Sequence, residues 1–253
     1  LPDTENLPSG NNRITVNNVG LKAWSAKSTK VRLEYYFERV GQISIGAFQR
    51  DFENFFGSTV FNATPAFLAL YGLDPTTYDP YDVVTKHNLQ STVRMTGLEF
   101  DYKQALTFLP PWARGVQVFA NGTVTRFTSD FVDAFASFIP KTASWGVSLN
   151  RPKWNLRINE NYRGIQRRGI VASTATNSIE PGTYNYRPKR LYVDVTGEYY
   201  FRRSTAVFFA FRNIRGATED TKIYGPSTPA YARFRQRDDY GGSLWTAGIK
   251  GSF

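Results

Sequence analysis

The chain stops on Leu244-Trp245-Thr246-Ala247-Gly248-Ile249-Lys250-Gly251-Ser252-Phe253, and this stretch constrains the fold more than any other. Successive side chains of a strand point to opposite faces. Trp245, Ala247, Ile249, Gly251 and Phe253 therefore share one face, and Leu244, Thr246, Gly248, Lys250 and Ser252 share the other. The first face is apolar or small, and the second is polar after its first position. A strand of this kind fits a sheet with lipid on one side and an aqueous lumen on the other.

The same alternation recurs upstream. Val31, Leu33, Tyr35 and Phe37 interleave with polar or charged residues, and a second strand runs from Gln42 toward Phe55. Further strands are predicted over 89–102, 116–125, 144–150, 154–161, 191–201 and 205–211, which with the closing strand makes nine. Val93 and Met95 have one parity, while Leu98, Phe100 and Tyr102 have the other, which predicts a β-bulge near Gly97. Residues 1–28 read as loop, and so do 165–187 and 214–240. Within the Pro-containing segment 56–87, Ala66 to Tyr71 reads as one short helix ended by Gly72. Short connections at 38–41, 103–113, 150–153 and 201–204 alternate with long ones at 56–87, 128–138, 165–187 and 214–240. All long connections thus leave one end of the sheet, as in outer-membrane barrels. Tyr35-Tyr36-Phe37, Trp154, Tyr199-Tyr200-Phe201 and Phe253 lie at the short-turn end and are expected to form one interfacial ring.

Composition narrows the function classes. Aromatic residues make up 16% of the chain, a share suited to pleated surfaces and bilayer interfaces. No apolar run approaches the eighteen residues of a membrane helix. The absence of Cys removes disulfides, thiol catalysis and thiolate metal sites. A net charge of +10 comes from Arg scattered over strands and loops, with no nucleic-acid-binding signature. Leu1-Pro2-Asp3-Thr4-Glu5-Asn6 has neither the basic start nor the apolar core of a signal peptide. Asp74, Asp79 and Asp82 match no calcium loop or carboxylate pair, and Asp-Pro pairs favour turns. His87 is the single His and the sequence has no Cys, so no second His or Cys could join it in metal or triad chemistry, and it reads as a loop or strand-start residue. No catalytic residue, metal or cofactor is expected.

Four stretches and the closing strand carry a family resemblance. Asn17-Asn18-Val19-Gly20-Leu21-Lys22-Ala23-Trp24, continued through Lys30 to Leu33-Glu34-Tyr35-Tyr36-Phe37, resembles the "NPxLKPxxSxNxxxxLEYYF" segment of TonB-dependent outer-membrane receptors. Ser44 to Phe48 and Asp51 to Phe55 resemble their "SxAxFxxDIxNF" strand, and Thr96 to Tyr102 their "GxExxxxY" strand. Phe211-Arg212-Asn213-Ile214 resembles "xxNLF", and Gly248 to Phe253 the terminal "GLRYSF". Val19 and Ala23 replace the two prolines of the first motif, and Gly251 stands where a large apolar residue is usual.

The resemblance implies an all-β, antiparallel transmembrane β-barrel segment, with residues 1–253 as the C-terminal portion of a barrel of about 22 strands. The plug, the N-terminal strands and the TonB-contacting box would lie upstream. It implies active, TonB-dependent uptake of a scarce large solute across the outer membrane of a Gram-negative-type bacterium. The partners would be outer-membrane lipid, TonB, the solute, and the barrel-assembly machinery at Thr246, Gly248, Gly251 and Phe253. In the long loops, Trp24, Tyr71, Tyr78 and Tyr81 are candidates for stacking on ligand rings. Arg163, Arg167, Arg168, Arg233 and Arg235 are candidates for pairing with ligand carboxylate or phosphate. A passive porin and a soluble β-rich glycan enzyme are the alternatives.

Overall fold

A computed structural model of the chain describes residues 3–4, 13–37, 40–78, 81–128, 138–171, 182–202 and 204–251. Nine strands form one antiparallel sheet: β1 (Ser25–Phe37), β2 (Gly41–Glu53), β3 (Val93–Ala105), β4 (Val116–Thr128), β5 (Lys141–Asn150), β6 (Trp154–Arg163), β7 (Arg190–Arg202), β8 (Thr205–Arg212) and β9 (Leu244–Gly251). Their order in the sheet is their order in the chain. This is the up-and-down meander that alternating hydrophobicity and tight turns at one end dictate. The sheet does not close: among the described residues, β1 and β9 remain its two edges.

Register places the apolar residues together. Val31, Ala47, Leu98 and Val124 meet across β1 to β4, and Ile158, Val195, Phe211 and Trp245 across β6 to β9. Large members of this face are well exposed, Leu33 at 76% and Ile249 at 73%, so among the described residues no protein layer covers them. At the short-turn end, Trp154 pairs with Tyr199, and Tyr35, Phe201, Phe108 and Trp112 are also exposed. Tyr36 and Tyr200 depart from the expected ring. They lie on the polar face, where their hydroxyls donate to Glu34 (2.5 Å) and Glu198 (2.6 Å). Phe253 lies outside the described residues.

No bulge exists at Gly97. Pairing runs unbroken from Gly41↔Gln104 to Phe52↔Val93, and from Arg94↔Thr128 to Ala105↔Gln117. The parity change has another cause. Near the long-loop end the otherwise polar face turns apolar, and Val93 and Met95 are buried there with Phe48, Phe52 and Leu89. The register slip of the wall falls instead at the β7–β8 turn, between Tyr200 and Arg202.

Register is further fixed by phenylalanines lying over glycines. Phe48 faces Gly97, Phe119 faces Gly146, Phe209 faces Gly197 and Phe208 faces Gly248, each as a direct cross-strand pair. A Cβ on Gly146, Gly197 or Gly248 would come within 2.5–2.9 Å of the ring opposite, and one on Gly97 would overlap it. The ring covers backbone that glycine leaves bare, which is how aromatics compensate for glycine in sheets.

Beyond the wall stand two four-stranded sheets, where the sequence reads as loop. Asp3–Thr4, Arg13–Val16, Asp82–Asn88 and Phe56–Asn62 form the first. It carries helices Pro65–Leu70 and Pro75–Tyr78 over a core of Ile14, Ala63, Leu68, Tyr81 and Val83. The expected helix is present: Thr64 caps it, accepting from the Phe67 N–H at 3.2 Å, and Gly72 follows at φ +65. Gln166–Ile170, Tyr184–Arg187, Glu219–Tyr224 and Phe234–Asp239 form the second sheet. They are the outward continuations of β6, β7, β8 and β9, in the same neighbour order.

Candidate functional site

The polar face of the wall is a ladder of hydrogen bonds. Lys30 pairs with Glu99, Arg32 donates to Ser44 (2.9 Å), and Ser144 donates to Asn161 (2.7 Å). Glu198 on β7 accepts from Lys250 on β9 (2.5 Å), Tyr200 (2.6 Å) and Asn155 on β6 (3.2 Å). A sheet with one hydrocarbon-like face and one such ladder is amphipathic across its thickness.

Two unlike patches crown this face at the long-loop end. Over β2 to β4 the patch is aromatic: Phe48, Phe52, Leu89, Val93 and Met95 are buried, with Phe55, Phe127 and Phe138 packed against them. The Trp24 ring lies 5.8 Å from Phe52 and 6.0 Å from Phe55, and Arg50 lies over Phe48 at 5.2 Å.

Over β6 and β7 the patch is cationic. Arg163 ends β6, Arg190 begins β7, and Arg187 precedes it in the outer sheet. Arg190 pairs with Glu219, and Arg187 Nε lies 2.6 Å from Glu219 Oε1 without hydrogen-bond alignment. Arg163 lines the same cleft and forms no ion pair among the described residues. The cleft thus gathers three guanidiniums and two carboxylates, and since Asp220 is already paired with Arg237, positive charge is in excess, which an anion would relieve.

The other candidates divide between this rim and the outer layers. Arg167 lies over the Tyr184 ring (4.9 Å) and Arg233 over Tyr224 (5.1 Å), while Arg235 donates to Asn185 (2.8 Å). Arg168 lies in the electrostatic neighbourhood of Asp238. Tyr71 packs on Phe67 at 5.0 Å and Tyr78 on Tyr81 at 4.9 Å, with Tyr81 buried in the helical cap. Asp74 Oδ1 and Oδ2 accept from Thr76 and Thr77 at the start of the second helix, and Asp79 lies outside the described residues. Thr246 and Gly248 are on the polar face of β9, paired with Ala210 and Phe208; Gly251 pairs with Thr205. Sequence reasoning missed Arg187, Arg190 and Glu219. The run Arg187-Pro188-Lys189-Arg190 was the available signal.

The outer sheet carries a pH prediction. Gln236 and Thr221 each donate to the Asp238 carboxylate at 2.5 Å and hold it below the usual carboxylate range. A group depressed in the folded state contributes above its unfolded value, about 3.9, and loses that contribution as pH falls through the folded one. Amide protection over Glu219–Tyr224 and Phe234–Asp239, corrected for the intrinsic exchange rate, is therefore expected to fall below about pH 4, while protection over β5, which has no carboxylate, does not. Asp238→Asn should remove the difference.

Comparison with known proteins points one way. No family model and no curated protein matches the sequence. Among solved structures, the ferric enterobactin receptor PfeA of Pseudomonas aeruginosa, in complex with enterobactin, superposes with TM-score 0.61 over 96% of this chain at 14% identity. The FrpB iron transporter of Neisseria meningitidis gives 0.58 over 96% at 13% identity, and the ferric citrate transporter FecA 0.53 over 89% at 15%. The fold is that of the TonB-dependent outer-membrane receptor barrel. The chain spans about a third of those structures, 33%, 34% and 31% of their lengths. In barrels of this fold a polar face lines the lumen, an aliphatic face meets lipid, and long connections rise at the extracellular end. The open edges are then those of a partial wall.

Proposed function

We propose that this chain supplies the C-terminal wall and extracellular loops of a receptor barrel in the outer membrane of a Gram-negative-type bacterium. The barrel takes up a scarce, negatively charged solute. Upstream strands complete it, a plug fills it, and TonB drives release through the N-terminal region. β9 pairs with the first strand during assembly by the barrel-assembly machinery. The observation that carries the reading is the cleft at which Glu219 pairs with Arg187 and Arg190 while Arg163 beside them forms no ion pair among the described residues. Arginine forks match carboxylate and phosphate oxygens. The aromatic patch offers the same solute an apolar wall. The three solved structures are described as ferric citrate, ferric enterobactin and iron proteins, and ferric chelates of anionic ligands carry the charge that these arginines would complement from the rim.

The test is energised uptake of ferric citrate and of a ferric tris-catecholate by cells expressing the full receptor. Arg163→Gln with Arg190→Gln should weaken capture of the transported chelate about tenfold or more, the worth of a charge-assisted contact. Transport that persists without TonB would point to the passive porin and overturn the proposal. Unchanged uptake by the double variant would remove the cleft from ligand capture.

A further inference from the structure

The lipid-facing side of β1 to β4 is not flat. Ala47 and Thr96 are small where Val31, Leu98 and Val124 are large, and a groove of about 560 Å³ opens between them. At the extracellular end of the groove stands Arg126, level with Thr29, Gln49 and Thr96.

One step further along the same face, Lys27 pairs with Glu53 (3.0 Å) and Arg94 with Asp51 (2.7 Å). The face therefore passes from aliphatic to fully charged within two positions on each strand: Val31 to Thr29 to Lys27, and Leu98 to Thr96 to Arg94. That transition marks the boundary between hydrocarbon and headgroups. Lys27 and Arg94 have carboxylate partners there. Arg126 has none among the described residues and is exposed.

We infer that this groove holds one acyl chain of an outer-leaflet lipid whose phosphorylated headgroup is bound by Arg126. The inference rests on the lipid-facing reading of this side. An acyl chain gains no hydrophobic free energy by leaving other lipid for the groove, since both surroundings are hydrocarbon. Close van der Waals contact in a shaped groove can still hold it. Discrimination among lipids must come from the end of the groove, where the unpaired charge is positive. A guanidinium there favours a phosphate monoester or diester with net negative charge over a zwitterionic headgroup.

The test is native mass spectrometry of the full receptor in detergent. It is titrated with phosphatidylglycerol, phosphatidylcholine, a phosphorylated acylated glucosamine lipid, and inorganic phosphate. Folding is checked by heat-modifiable migration and insertion into vesicles. One anionic phospholipid or phosphoglycolipid should be retained per receptor, with phosphatidylcholine retained about tenfold less. Arg126→Ala should abolish that preference, and Arg126→Lys should keep much of it. Ala47→Trp, which fills the groove and leaves the headgroup site intact, should abolish retention. None of these changes touches the polar face, so all three variants should fold.

Retention unaffected by Ala47→Trp would overturn the inference. So would inorganic phosphate competing as well as lipid, which would make Arg126 a bare anion site. A receptor dimer abolished by Ala47→Trp would assign the groove to a second copy and overturn it too. Failure of the folded receptor to insert into vesicles would overturn the lipid-facing reading itself. Insertion without lipid preference would overturn this inference alone.

Discussion

Gly97→Val in the full receptor will lower its unfolding free energy by about 1–3 kcal/mol. The added atoms have two obstacles. On the luminal side a Cβ overlaps the Phe48 ring, and it lies 2.9 Å from the Val124 carbonyl oxygen. The oxygen belongs to the sheet backbone and cannot retreat without disturbing the β3–β4 ladder. The ring cannot move outward, because Phe48 is part of a buried cluster with Phe52, Leu89, Val93 and Met95. Urea titration in detergent, read by heat-modifiable migration, gives the loss. The cost of Gly97→Val should shrink in a Phe48→Ala background, since the ring is then gone, and the double-mutant cycle isolates that coupling. Gly169→Ala is the control: nothing lies within 4 Å of its Cβ position, and its effect should stay within about 0.5 kcal/mol. Equal costs in both backgrounds would show that the phenylalanine–glycine pair does not hold the register.

The same residue shows why the wall was legible in the sequence and its upper reaches were not. In the nine wall strands, an aliphatic face on one side and a polar ladder on the other force a period of two, and the alternation survives in the residues. Leu98, Phe100 and Tyr102 follow this rule. Val93 and Met95 obey a different one, because at the extracellular mouth the luminal face is covered by Leu89, Phe52 and Phe127 rather than by water. A parity change caused by local burial imitates a bulge when only the sequence is read.

The outer sheets leave still less trace. Phe234-Arg235-Gln236-Arg237-Asp238-Asp239 is exposed at every position, and in Gln166-Arg167-Arg168-Gly169-Ile170 the buried residue is the polar Gln166, so neither stretch alternates apolar with polar. Their pairing is inherited from the wall strands they prolong. The candidate arginines could be named because long polar loops favour exposed cations. Their convergence could not, because Arg163 and Glu219 are brought together only by the β6–β7 and β8–β9 connections rising side by side.

Residues 1–253 produced on their own will not form a stable inserted sheet. β1 and β9 each present an unpaired row of N–H and C=O groups along the edge of the wall. In hydrocarbon each unsatisfied backbone group costs several kcal/mol, which is why lipid-exposed sheet edges do not occur in spanning proteins. Eight residues of β9 and thirteen of β1 line these edges. With about half of each strand's groups pointing outward, the penalty reaches tens of kcal/mol, beyond what one or two side-chain changes can offset. Neither edge strand contains proline, and although Lys27, Lys30, Arg32 and Lys250 blunt the edges in part, Val31, Leu33 and Ile249 are exposed beside the open ladders, a pattern that favours edge-to-edge aggregation. Refolded in detergent, the isolated chain should therefore migrate identically with and without boiling and elute as large aggregates. A chain that also carries the strands facing β1 and β9 should give a compact, heat-modifiable band. Disulfide trapping between β9 and the first upstream strand should then lock the compact form. A folded monomer of residues 1–253 in water without detergent would contradict the lipid-facing assignment of the whole outer surface. A heat-modifiable monomer in detergent would mean that β1 and β9 can satisfy each other after all.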